Sequence, residues 1–165
     1  MAAGQSADPV EEFPGLDLAY ERAMASYQGI AARYDAANQR IDGLLTLTST
    51  VTLAAPLIVA ATGAASALQS PLVVAVACLF AAVLVLGVAG RGVVGSPRLV
   101  DPADLYEDWI DLEEIDFELE AVYWAGEHFE HGMRVVWRKS LIAHAMTALF
   151  ILEVVVLLAW IASDL

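Results

Sequence analysis

The sequence contains a single cysteine and few basic residues, and each shortage excludes a class of function. Cys78 alone gives the chain no internal disulfide and no thiolate metal site. Eight lysines and arginines are set against 21 aspartates and glutamates, for a net charge of −13 at pH 7. Because nucleic-acid binding requires a basic surface, DNA and RNA are not expected partners.

Charged residues are also missing from three long stretches. Residues 44–63 and 71–89 contain none, and Glu153 is the only one in residues 141–162. A helix that crosses the lipid bilayer needs about 20 mostly apolar residues, and its backbone must be hydrogen-bonded within the segment. The pattern therefore predicts three spanning helices, of which the first two form a hairpin at residues 44–90. A soluble all-helical core is the alternative.

The basic residues predict the orientation of these spans. All eight fall before the first span or between the second and the third: Arg22, Arg33, Arg40, Arg91, Arg98, Arg134, Arg138 and Lys139. The positive-inside rule assigns this side to the cytoplasm. The N-terminus is therefore expected in the cytoplasm, and the C-terminus, which ends the third-span segment at residues 141–165, is expected outside.

The charged N-terminal segments predict a disordered tail and then a helix. Residues 1–15 are rich in glycine, proline and acids, which is typical of disorder. In residues 16–43, apolar or small side chains recur at alternating steps of four and three, as in a heptad seam. The seam consists of Leu16, Tyr20, Ala23, Tyr27, Ile30, Tyr34, Ala37, Ile41 and Leu44. This cytoplasmic helix can continue into the first span, because no proline interrupts it there.

Residues 91–140 are predicted to form an acidic cytoplasmic helical segment. Gly95 and its neighbours indicate a turn on leaving the membrane, and Asp101-Pro102 is a helix start. A second seam follows: Leu105, Trp109, Leu112, Leu119, Val122, Gly126, Phe129, Met133 and Val136. A break near Gly126 or Gly132 is left open. The predicted fold is thus all-α, an integral membrane protein whose three transmembrane helices continue into a cytoplasmic helical bundle.

The sequence carries no recognisable catalytic or metal-binding motif. A nucleophile–base pattern, a phosphate loop and a zinc motif are all missing, so we expect no enzyme, no cofactor and no catalytic residues. Residues 127–131 contain two glutamates and two histidines, but their spacing does not fit a Glu-x-x-His di-iron motif. A solvated helix face is the favoured interpretation, and no metal is expected.

Glu153 is the first candidate site, because a carboxylate inside a bilayer costs several kcal/mol or more unless it is shielded. It is expected to be protonated and to face other helices, with Thr48 and Thr52 of the first span as candidate partners. Two interpretations are open. Glu153 either fixes helix packing through hydrogen bonds or lines a pore, and packing is favoured.

A second candidate site would bind a ligand on the cytoplasmic side. Tyrosine rings on one helix stripe can stack on a nucleobase, and neighbouring arginines can bind phosphate. The candidate ligand-binding residues are Tyr27, Tyr34, Arg33, Arg40 and Arg98. The alternative, a helix seam filled by tyrosines, is favoured over nucleotide binding.

The order of these parts resembles the Pycsar transmembrane effectors, a family of short prokaryotic antiphage proteins with three spans. The residues that carry the resemblance are Arg40-Ile41-Asp42-Gly43-Leu44-Leu45 at the start of the first span, Ser96-Pro97-Arg98 after the second, and Arg138-Lys139 before the third. Asp42 stands at the family's aspartate, without the lysine that usually follows it. More weakly, the long helix leading into the hairpin is similar to that of the SLATT-type membrane effectors.

The resemblance implies a function that the residues alone do not. These families are effectors that disrupt or permeabilise the inner (cell) membrane of a bacterium or archaeon in antiphage defence. Their cue is cytoplasmic, with a cyclic nucleotide as the candidate ligand. Small residues in the spans also favour a homo-oligomer. The alternative function is a non-enzymatic scaffold or accessory subunit of a membrane complex.

Overall fold

The computed structural model describes residues 13–61, 71–98, 109 and 111–163. This part of the chain forms three helices and contains no strand: α1 (Leu16–Ala61), α2 (Pro71–Gly92) and α3 (Glu114–Ser163). The predicted all-α fold is therefore confirmed for the described residues. Most of the predicted disordered tail and the predicted helix start at Asp101-Pro102 lie outside them.

Helix α1 runs without interruption from the predicted cytoplasmic segment into the predicted first span. Its predicted seam is confirmed, because every seam position is buried or half-buried, and Ile30, Ala37 and Ile41 are the most deeply buried. Further along the helix, the hydroxyl groups of Thr46 and Thr50 each donate to the carbonyl oxygen four residues earlier. Such bonds allow threonine to lie in an apolar helix without an unpaired donor.

Helix α3 corrects one expectation for the acidic segment and resolves one alternative that was left open. Residues 111–113 form a turn, so Leu112 does not lie in a helix that continues from Asp101. The helix begins at Glu114, where acidic side chains in the first turn interact favourably with the helix dipole. The break left open near Gly126 or Gly132 is absent, since α3 continues to Ser163. At Gly132 an added Cβ would lie 3.0 Å from a methyl carbon of Ile30, so this glycine permits close helix approach.

The seam predicted for α3 is only partly correct, because its half-buried positions Leu119, Val122, Met133 and Val136 lie beside the most deeply buried ones. Leu105 of this seam lies outside the described residues. The buried positions at its N-terminal half are Ala121, Ala125, Gly132 and Val135, whereas Phe129 of the predicted seam is exposed. Three of these four buried positions hold small residues, and the pattern of large apolar residues alone indicated the neighbouring positions.

The chain divides into two compact units, each of which includes part of α1 and part of α3. The first unit comprises Met1–Ala32 and Ser96–Arg134, and the second comprises Arg33–Gly95 and Val135–Leu165. In the first unit, aromatic rings meet edge to face between the two helices: Tyr20 with Phe117, and Tyr27 with Trp124. Such pairs contribute about 0.5–1.5 kcal/mol each beyond the area that they bury.

The second unit packs all three helices around two apolar clusters. One cluster contains Ala55, Val76, Leu157 and Trp160, and the other contains Ile41, Val83, Ala143 and Met146. At Gly87 and Gly90 of α2, an added Cβ would lie 2.6 Å and 2.9 Å from side-chain atoms of α1. Small residues therefore bring α1 and α2 into close contact, as the spans' composition suggested.

The second unit exposes many large apolar side chains and buries a carboxyl group, a distribution unusual for a soluble protein. Leu57, Val88 and Leu158 are 72%, 70% and 61% exposed, whereas Glu153 is 0% exposed. Two described helices, Pro71–Gly92 and Glu114–Ser163, are long and apolar enough to cross a membrane, with mean hydropathies of 3.0 and 2.4 over an 18-residue stretch of each. These features support a membrane location. The predicted first span extends to residues 58–63, beyond the described side chains.

Candidate intramembrane site

Glu153 lies on the face of α3 that meets α1, and it is fully buried. One of its carboxyl oxygens is hydrogen-bonded to the hydroxyl of Thr52 on α1. Thr48, one turn earlier on α1, is 1% exposed. The structure therefore brings together the three residues that the sequence predicted to lie within the membrane.

The hydrogen bonds of this cluster are incomplete. The Thr52 hydroxyl also lies 2.8 Å from the carbonyl oxygen of Thr48, and one hydroxyl hydrogen cannot serve both acceptors. If Thr52 donates to the carbonyl, a protonated Glu153 can donate to Thr52 in turn. Among the described residues, the Thr48 hydroxyl and the second carboxyl oxygen, Oε2 of Glu153, have no hydrogen-bond partner.

Apolar side chains close this polar cluster at both ends. Along α3, Met146 precedes Glu153 by two turns and Leu157 follows it by one turn, and both are buried. Along α1, Ile41 precedes Thr48 by two turns and Ala55 follows Thr52 by about one turn. A polar layer between two apolar clusters fixes the register of α1 against α3, because a shift of either helix would leave the carboxyl group against hydrocarbon.

Charged residues join the three helices at the end predicted to be cytoplasmic. Arg91 of α2 forms an ion pair of 2.6 Å with Asp42 of α1, and Asp42 raises the pKa of the guanidinium. Lys139 of α3 is buried, and its Nζ lies 2.7 Å from the amide oxygen of Asn38 and 4.1 Å from the ring centroid of Tyr34. None of these contacts was predicted from the sequence.

The surroundings of Lys139 change the acidity of Tyr34. Burial alone would raise the pKa of this phenol. The hydrogen bonds from Lys139 and Asn38, together with the positive charge of Lys139, outweigh burial and lower the pKa below its ordinary value of 10.0. The Tyr34 ring thus already takes part in a contact within the second unit.

Tyr27 and Arg98, the ligand-binding candidates in the first unit, are hydrogen-bonded to each other. The Tyr27 hydroxyl donates to the Arg98 carbonyl oxygen at 2.5 Å, and burial raises the pKa of Tyr27. Trp124 stacks on His128, whose Nδ1 lies 3.0 Å from the Trp124 carbonyl oxygen. That contact leaves Nε2 of His128 as an acceptor for the Arg98 guanidinium at 3.4 Å.

The remaining ligand-binding candidates, Arg33 and Arg40, belong to the second unit with Tyr34. Both line grooves between α1 and α3. The five candidates are therefore divided between the two units, and both tyrosine rings make contacts within the chain. Nucleotide binding by these residues stays a prediction. Among the described residues, no group of three or more histidine, cysteine or acidic side chains is placed to hold a metal ion.

No family model, curated protein or solved structure matches this chain.

Proposed function

We propose that this protein is a three-span, non-enzymatic membrane effector that permeabilises the cell membrane of a bacterium or archaeon when a cytoplasmic cue acts on it. The observation that carries the proposal is the buried, incompletely hydrogen-bonded polar cluster of Glu153, Thr52 and Thr48 inside an apolar exterior. Intramembrane ionisable residues are costly, and they mark ion paths or structural contacts between helices.

The proposed topology has the N-terminus in the cytoplasm and the C-terminus outside. The contacts at one end of the second unit support it, because Asp42, Arg91 and Lys139 all lie next to the predicted cytoplasmic ends of their spans. Charged and hydrogen-bonding groups are favourable at a membrane boundary and unfavourable within it. The outward leucines and valines would then contact lipid or a second copy of the chain in a homo-oligomer.

The mechanism that we propose starts from a closed state. In that state the carboxyl group of Glu153 is shielded by packing, and the two apolar clusters exclude water on either side of it. A rearrangement that separates α1 from α3 would expose Glu153, Thr52 and Thr48 together. Their unused hydrogen-bonding capacity favours water or an ion in the open state, because buried polar groups without partners are costly.

A cyclic nucleotide remains the proposed cue, with antiphage defence as the setting that the family resemblance suggests. A scaffold or accessory subunit is the second candidate function. The bond between Glu153 and Thr52 within one chain favours it, since such a bond serves stable packing without any opening.

Ion release from liposomes that contain the purified protein tests the proposal. Leakage should be low at rest and should rise when a cyclic nucleotide is added on the N-terminal side. Thr48→Val with Thr52→Val removes the polar lining and should reduce the leakage. Thr147→Val is the matched control, because the Thr147 hydroxyl donates to its own helix at the Ala143 carbonyl. Absence of leakage under every cue, with intact assembly, would favour the scaffold.

The orientation is tested separately by thiol labelling in a Cys78→Ala background. A cysteine at Ser66, which lies outside the described residues, should react with an impermeant reagent added outside the cell. A cysteine at Ser26 on α1 should react only after the membrane is opened. The reverse pattern would overturn the proposed topology.

A further inference from the structure

A groove between α1 and α3 of the second unit combines a cationic end with an apolar end. The cationic end, called the upper part below, has a volume of about 200 Å³ and is lined by Arg33, Arg40 and Ser140 among others. The apolar end, called the lower part, has a volume of about 450 Å³ and is lined by residues including Leu47 and Thr147. Arg40 and Ala143 line both parts, so the two are adjacent.

Small residues create this groove. Ala37 and Ala143 are buried at the helix contact, and Gly43 presents no side chain to the lower part. A Cβ added at Gly43 would meet nothing within 4 Å. The space is thus an open feature of the helix surface, bounded by short side chains on both helices.

The charges of the upper part are unbalanced. Arg33 and Arg40 lie seven residues apart on α1, about 10 Å along the helix, and thus on the same face. The described residues include a single ion pair, between Arg91 and Asp42, so neither guanidinium is neutralised there. No carboxylate lines either part of the groove. A ligand that complements the upper part is therefore an anion.

The lower part requires a different chemistry. Leu44 and Leu47 belong to the predicted first span, and Leu47 is 53% exposed. His144 also lines the lower part, and its Nδ1 lies 2.6 Å from the carbonyl oxygen of Ser140 on the same helix. The groove therefore passes from guanidinium groups at the membrane boundary to apolar side chains within the hydrocarbon.

We propose that this groove is a binding site for an anionic phospholipid, with the phosphate at Arg33 and Arg40 and an acyl chain along Leu44 and Leu47. Guanidinium groups bind phosphate strongly through paired hydrogen bonds. The site is local and does not depend on the protein's overall charge of −13, which would repel an anionic surface at long range. It is also independent of whether the protein permeabilises membranes.

Native mass spectrometry of the full-length protein tests the site with phosphatidylglycerol and phosphatidylcholine as probes. The wild type should retain phosphatidylglycerol in preference to phosphatidylcholine. Arg33→Gln combined with Arg40→Gln should reduce that preference about 25-fold, because each basic residue near an anionic headgroup contributes roughly fivefold. Arg138→Gln is the matched control, since Arg138 is exposed at the same boundary and does not line the groove.

A second variant tests the apolar end without altering charge. Gly43→Leu should fill the lower part and reduce retention of both lipids, whereas Gly29→Leu, equally free of clashes on α1, should not. Circular dichroism of each variant verifies that the helices are intact. Equal retention of the two lipids by the wild type would overturn the proposal, and so would an equal loss of preference in Arg138→Gln. Displacement of phosphatidylglycerol by inorganic phosphate or a cyclic nucleotide would assign Arg33 and Arg40 to a soluble ligand and likewise overturn it.

Discussion

Lys139 and Asn38 join α3 to α1 through a hydrogen bond of 2.7 Å from the ammonium group to the amide oxygen. Lys139 is 1% exposed, and no carboxylate among the described residues pairs with it. The Tyr34 ring lies 4.1 Å from the ammonium group and provides a cation–π contact in place of an ion pair. A buried cation held by neutral partners depends on all of them, because the ammonium group has lost its water.

The first prediction concerns this contact. Lys139→Met keeps the volume of the side chain but removes the charge and the donor to Asn38. The pKa of Tyr34 should then rise from its wild-type value, since burial remains while the hydrogen bond and the charge of Lys139 are lost and only the hydrogen bond from Asn38 still lowers it. Ultraviolet titration measures the change, with Tyr34→Phe to assign the signal. Arg138→Met is the control, and an unchanged titration in Lys139→Met would contradict the geometry.

The stability of the same variant gives an independent measurement. Loss of the donor leaves the Asn38 oxygen without its bond, at a cost of about 1–3 kcal/mol for a buried polar group. Unfolding in detergent, followed by circular dichroism, should show this decrease for Lys139→Met and a smaller one for Arg138→Met.

The second prediction tests the close contact of α1 with α2. Gly90→Ala places a Cβ 2.9 Å from Ile41, and Gly87→Ala places one 2.6 Å from Leu45. Each side chain must shift, at about 1–3 kcal/mol for an overpacked core. At Gly92 an added Cβ meets nothing within 4 Å, so Gly92→Ala should be neutral or stabilising. Equal stabilities of the three variants would show that the contact is looser than described.

Some of these features could be predicted from the sequence and others could not. The seam of α1 was predictable because it follows one regular alternation from Leu16 to Leu44, and Glu153 was predictable because a single acid is conspicuous in an apolar run. Its partner Thr52 followed from the polar side chains of the first span.

The features that could not be predicted depend on which residues of another helix pack against each position. Lys139 is in phase with buried Val135 and Ala143, a signal that could have shown its burial, but its charge indicated a solvent position. The α3 seam was misplaced because its most deeply buried positions include small residues such as Ala121 and Ala125, which hydrophobic periodicity weights little. Packing against the other helices determines which of these residues are buried.

The third prediction is a pH dependence in the first unit. Partial desolvation raises the pKa of Glu118 above its ordinary 4.5, and the like charges of Asp17 and Glu114 raise it further. The folded protein therefore holds the proton more tightly than the unfolded chain does. This contribution to stability is complete below pH 4.5 and is lost as the pH rises through the folded-state pKa.

Glu118→Gln removes the repulsion, so it should raise the melting temperature at pH 7 and have little effect near pH 4. Asp17→Asn should act in the same direction, because it removes one of the two interacting charges. Glu127→Gln, an exposed position on the same helix, is the control. A melting temperature of Glu118→Gln below that of the wild type at pH 7 would be inconsistent with the repulsion.

The last prediction separates packing from permeation at Glu153. If packing is its role, Glu153→Gln should keep the bond to Thr52, because an amide hydrogen-bonds as a protonated acid does. Glu153→Leu should weaken the α1–α3 contact only modestly, since such bonds average about 0.6 kcal/mol in membranes. Thr52 would still donate to the Thr48 carbonyl oxygen. Thr48→Val should be neutral, because the Thr48 hydroxyl has no partner among the described residues.

If permeation is the role instead, charge and not hydrogen bonding is what an ion senses. Glu153→Gln should then change the ion selectivity of the reconstituted protein while leaving its unfolding unchanged. Conductance and detergent unfolding, measured on the same two variants, distinguish the roles. For the closed state, without a cue, we expect the packing result, because the carboxyl group is fully buried between two apolar clusters within one chain. With the cue present, the proposed opening predicts altered selectivity in Glu153→Gln as well. Altered selectivity in Glu153→Gln, together with undiminished stability in Glu153→Leu, would show that the group serves ion passage.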